Sequence, residues 1–167
     1  MKLHKLTHDK KLYPNKWCGP SILSILTGAT SEDCAMLIKK KFKRKYCKGT
    51  SWTQVSYVLK KHKLKVKHAF ATLKSEHDEM MSSQDAYLRG FFGKRFTIEK
   101  KPPTLIKWYE WHRVKPKENE CYLMAIGNHW MIENHGMMVD NHDPEGVMIS
   151  DSRMKKARVT FAIKLSK

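Results

Sequence analysis

No apolar run in the chain approaches the ~20 residues of a membrane-spanning helix. The opening Met-Lys-Leu-His-Lys-Leu-Thr-His is polar and basic and lacks the apolar centre of a secretion signal. The expected setting is therefore a cytoplasm, of a cell or of an infected host, or a particle such as a virion, with no membrane partner. Cysteine is sparse. Cys18, Cys34, Cys47 and Cys121 form no close Cys-x-x-Cys pair and stand in no secretory context, which leaves reduced thiols as the expectation. Acidic residues are the other shortage: 16 stand against 33 lysines and arginines, for a net charge of +17. Such a field draws a protein to nucleic acid or another polyanion, and lysine's excess over arginine favours diffuse attraction over bidentate base reading. The runs Lys39–Lys48 and Lys60–Lys67 are the candidate nonspecific nucleic-acid contacts, with a merely solvated lysine-rich surface as the alternative.

What is present supports a folded chain. A hydrophobic share of 41% over 167 residues is enough for a core, so residues 1–167 are expected to form a single domain. Thr30-x-x-Asp33 resembles a capping box ahead of Ala35, Leu37, Ile38 and Phe42, and Ser51-x-x-Gln54 is a second one ahead of Val55, Val58 and Leu59. The period changes to two at Leu64–Phe70, the sign of a strand. Residues 71–103 read as an inserted loop and helix region closed by Pro102-Pro103. Thr104 can cap a helix carrying Leu105, Trp108 and Trp111, which Pro116 would end. Strands are expected at Cys121–Ile126, His129–Asn134, Met137–Asn141, Val147–Asp151 and Ala157–Leu165. Helices first and antiparallel strands afterwards make an α+β fold.

Two stretches carry chemistry. In Asn15-Lys-Trp-Cys-Gly-Pro-Ser-Ile-Leu-Ser-Ile-Leu-Thr-Gly, Pro20 suits a first helical turn and Gly28 a helix stop. Cys18 then sits at a helix N-terminus, where unpaired N–H groups and the helix dipole favour thiolate over thiol. The body of that helix, Ile22, Leu23, Ile25 and Leu26, is apolar on more than one side and should be buried. The second stretch is His129-Trp-Met-Ile-Glu-Asn-His-Gly-Met-Met-Val-Asp-Asn141. His135-Gly136 suits the two central positions of a tight hairpin. With that loop, strand alternation puts His129 and Asp140 on one face as diagonal neighbours and sends Asn141 to the other. A thiolate nucleophile needs a base and a third group that fixes the base's tautomer. Cys18, His129 and Asp140 can fill those roles, with Asn15 and the Cys18 N–H as oxyanion donors. No cofactor is needed, and the histidines fall into no tetrahedral zinc spacing.

The Cys-Gly-Pro helix followed by His-Trp-Met-Ile-Glu-Asn-x-Gly-x-x-Val-Asp resembles the papain-like cysteine peptidase superfamily, including its bacteriocin-processing type. The ending Val139-Asp-Asn-His-Asp-Pro144 also resembles small papain-like proteins of tailed bacteriophages. The resemblance runs from about Asn15 to Pro144, leaving out 71–103. It implies a nucleophile helix packed on a C-terminal antiparallel sheet, a Cys18–His129–Asp140 triad, and a peptidase or isopeptidase acting on protein or peptide substrates. It departs from the family at Leu12, where papain-like enzymes usually carry a glutamine that helps bind the oxyanion. A second function class is therefore kept: a basic papain-fold protein without turnover, acting as a nucleic-acid or virion component.

Overall fold

The computed structural model describes residues 1–7, 17–45, 47, 49–72, 96–99, 101–111 and 113–167. Leu12 and Asn15 lie outside the described residues, as do most of 71–103 and, within the first basic run, Tyr46 and Lys48. Helix α1 (Cys18–Thr27) is closed by Gly28, whose φ of 81° a side chain would resist and whose N–H reaches the Ser24 carbonyl. Helix α2 (Ser31–Phe42) starts where the Thr30 hydroxyl accepts the Asp33 N–H at 3.0 Å. Helix α3 (Trp52–Lys61) starts with the Ser51 N–H donating to the Gln54 side chain at 2.9 Å. The fourth helix among the described residues, α4 (Leu105–Trp111), ends well before Pro116, so the proline is not what stops it. No single described helix is long and apolar enough to cross a membrane.

The strands are β1 (Lys65–Thr72), β2 (Phe96–Glu99), β3 (Glu120–Ile126), β4 (His129–Asn134), β5 (Met137–Val139), β6 (Val147–Met148) and β7 (Val159–Ser166). They form one sheet in the order β2-β1-β7-β3-β4-β5-β6. Its six strands from β1 to β6 are joined antiparallel, and β2 adds parallel to β1. The protein is therefore α+β. Three sequence expectations change here. Part of 71–103 is sheet, because β1 runs on to Thr72 and Phe96–Glu99 pairs with it. Strand β5 stops at Val139, and β6 is only two residues long because Asp151 and Ser152 turn back onto the Met148 carbonyl.

Both faces of the sheet are covered. On one, α1, α2 and α3 bury Ile22, Leu26, Ile38 and Val58 against Leu123, Trp130, Ile132 and Ile163. On the other, α4 brings Leu105 and Trp108 against Phe70, Tyr122, Met124 and Met131. Trp108 stands edge-on to Tyr122 with ring centroids 4.9 Å apart and is fully buried, so this aromatic serves the core. The alternation Trp130/Ile132 against Met131 thus feeds two cores from one strand. Helix α1 lies along β4, which places its N-terminus at the end of the sheet where β4 begins.

Candidate active site

Cys18 opens α1 and is partly buried, the other three cysteines being buried free thiols. Pro20 and Gly19 follow it in the first turn, where unpaired N–H groups are available. Gly19 also allows a close approach. A Cβ there would stand 2.3 Å from the Thr50 hydroxyl oxygen. The Thr50 carbonyl in turn accepts the Trp130 indole N–H at 2.8 Å, so α1, the loop before α3 and β4 are clamped together around the thiol.

His129 is the first residue of β4, directly after the turn from β3, and its neighbour in the chain, Trp130, points into the helical core. The hairpin beyond it has the two-residue loop His135-Gly136, both at positive φ (55° and 93°), with Asn134 opposite Met137 and Ile132 opposite Val139. That register carries Asp140 back to the His129 end of the strand. Its Oδ2 lies 2.8 Å from His129 Nε2. Asp140 is fully buried, and its other oxygen accepts the backbone N–H groups of His142 at 2.7 Å and Asp143 at 2.8 Å. An aspartate bonded to backbone two and three residues on makes a local turn, which ends β5 and fixes the carboxylate.

The structure thus brings Cys18, His129 and Asp140 together in that order. With Nε2 taken by Asp140, Nδ1 is the ring nitrogen left for the thiol. Burial alone would push the Cys18 thiol up. The His129 ring, the N–H of Trp130, the imidazolium charge and the N–H of Gly19 outweigh it, and the thiol titrates below its ordinary 9.0. His129 is raised to about 9, first by its bond to Asp140 and then by Cys18, against burial. Burial also works against the Asp140 charge, but His129, the two backbone N–H groups and Arg153 hold it well below the usual carboxylate range. Both shifts favour the charged form, so the arrangement favours a thiolate beside an imidazolium. The remaining cysteines behave oppositely: burial pushes Cys34 up to about 11 and Cys121 up to about 12, and raises Cys47.

Sequence reasoning missed Arg153. Its guanidinium reaches the same Asp140 Oδ2 that receives His129, from the turn between β6 and β7. No spacing rule links positions 140 and 153. His142, also unassigned, stands with its ring centroid 5.9 Å from that of His129. Among the described residues no three histidines, cysteines or carboxylates gather in a way that could hold a metal ion.

Fold and site together define an α+β protein with a cysteine, a histidine and an aspartate in series at the end of its sheet. No protein-family model, curated protein or solved structure matches the chain.

Proposed function

We propose that the chain is a cysteine hydrolase of papain-like architecture, a peptidase or isopeptidase using Cys18, His129 and Asp140. The observation that carries this reading is the 2.8 Å bond from His129 Nε2 to a buried Asp140 with the depressed Cys18 thiol on the other side of the ring. In this reading the Cys18 thiolate attacks the carbonyl carbon of an amide, and the new oxyanion is met by N–H groups at the start of α1, including that of Cys18 itself. His129 gives its proton to the departing amine, leaving a thioester on Cys18. A water then loses a proton to His129 as it attacks the thioester, which frees the acid and regenerates the ion pair. Asp140 keeps the Nε2–H and orients the ring throughout. Asn15 remains a proposed second oxyanion donor.

The test is a thiol-reactive probe at a pH of about 5, where a histidine-paired thiolate still labels and ordinary thiols do not. Mass spectrometry should place the label on Cys18 alone and lose it in His129→Ala. Turnover is then read on fluorogenic peptide and isopeptide pools. Labelling spread over Cys34, Cys47 and Cys121 would remove the basis for a nucleophile at Cys18. Selective labelling with no turnover in any pool would leave the activated thiol but favour the binding-protein class.

A further inference from the structure

The two basic runs meet. Lys41 near the end of α2 and Lys61 at the end of α3 each place an ammonium 5.9 Å from the centre of the same ring, Tyr57. The two charges are therefore at most about 12 Å apart, each within cation–π range of the ring. Phe42 packs edge-on against Tyr57 and fixes it. The chain neighbours of this pair, Lys40 and His62, line an open groove of about 680 Å³ together with Met36, Leu37 and Lys39. Met36 is 59% exposed, an unusual position for a large apolar side chain.

Lysines at a helix C-terminus have a structural use, since they offset the dipole. A helix end carries only about half a negative charge. Lys39, Lys40 and Lys41 on α2 and Lys60 and Lys61 on α3 far exceed that need. No ion pair of a described residue takes up any of these five. The one carboxylate in the groove, Asp33, accepts a hydrogen bond from Thr30. A concentration of unpaired ammonium groups beside the apolar side chains of Met36 and Leu37, in a chain of net charge +17, is complementary to a ligand with regular negative charges and flat apolar faces.

We infer that this surface, the joined C-terminal ends of α2 and α3, binds single-stranded nucleic acid without sequence preference. The phosphates lie along Lys39, Lys40, Lys41, Lys60 and Lys61, and unpaired bases lie against Met36, Leu37 and His62. The groove begins at Ala29, past the far end of α1, so a helix of about 15 Å separates it from Cys18. Binding and thiol chemistry are independent.

The experiment is fluorescence anisotropy of a labelled mixed-sequence DNA oligonucleotide, single-stranded and as its duplex, over a salt series. Five phosphate contacts give a log–log salt slope of about −3 to −4 for the single strand. The double variant Lys41→Glu, Lys61→Glu should weaken binding at least about tenfold and flatten the slope by about one to two, with Cys18 labelling unchanged. The charge-matched control Lys115→Glu, Lys156→Glu should bind almost as the parent does. Equal losses in both double variants would reduce the effect to net charge and overturn the site. So would tighter binding of the duplex, displacement by poly-glutamate at equal charge, or loss in Trp111→Ala, which would move the contact to the exposed Trp111–Lys107 pair on α4.

Discussion

A single carboxylate oxygen decides the state of the site. Asp140 Oδ2 accepts from both His129 and Arg153, one bond holding the imidazolium and the other competing for the same charge. For the proposed hydrolase, Cys18→Ala should abolish turnover, a loss of at least about a thousandfold measured as kcat/KM. In that reading the parent's pH profile should be bell-shaped with its alkaline limb near 9, where His129 loses the proton it is proposed to donate. Asp140→Asn removes the main cause of that elevation, so the limb should move down toward 6.5. Arg153→Met should do the reverse, because it removes a cation beside an imidazolium and frees Oδ2 for it. A limb that stays in place in Arg153→Met would show that the arginine only anchors the turn between β6 and β7.

Elements are joined around the site by contacts that tolerate little. At Gly19, alanine would improve helix propensity by about 1 kcal/mol, yet its Cβ would meet Thr50 at a distance real atoms do not reach. Overpacking of that kind costs about 1–3 kcal/mol, so Gly19→Ala should lower the melting temperature. It should also slow Cys18 labelling, as Thr50 pulls away from Trp130. Thr50→Gly in the same chain should restore labelling. At the hairpin, His135 adopts φ 55° at a position that asparagine fills more readily, and His135→Asn should stabilise by roughly 0.5 kcal/mol. This hairpin was the most legible element in the sequence: its loop length is fixed by turn chemistry, and parity follows from the loop. The helix caps at Thr30 and Ser51 were legible for the same local reason. Strand β2 was not, since Phe96–Glu99 is short and gains its conformation from a parallel partner distant in the chain. Nor was the end of β5, where the Asp140 side chain competes with the sheet for backbone N–H groups. Arg153 lay beyond local rules altogether, because only the tertiary path of the turn before β7 brings it to Asp140.

For the whole molecule, the ion pair has a consequence for stability that neither partner shows alone. Stability changes with pH by the difference in protons bound between unfolded and folded chains. His129 is raised from 6.5 to about 9, so by itself it stabilises fully below 6.5 and loses that contribution as pH rises toward 9. Cys18 is depressed from 9.0, so by itself it stabilises above 9.0 and loses that contribution as pH falls through its folded value. Between 6.5 and 9 the unfolded chain carries one proton on this pair, on the thiol. As an ion pair the folded chain also carries one, on the imidazole, so wherever the pair is charged within that window it leaves stability flat. Below 6.5 the unfolded histidine takes up a second proton, and stability falls for as long as the folded thiol stays ionised. Cys18→Ala removes this balance. The folded variant still holds a proton on His129 through Asp140 while the unfolded one holds none, so its stability should decline from 6.5 upward, by as much as about 1.4 kcal/mol per pH unit. Buffer-matched thermal denaturation of the parent and Cys18→Ala reads the difference directly, since the field of the +17 chain is common to both. Parallel curves would mean that the folded protein keeps a neutral thiol beside a neutral imidazole. A stability difference, parent minus variant, that keeps growing as pH rises from below 6.5 into the window above it would place the proton on His129.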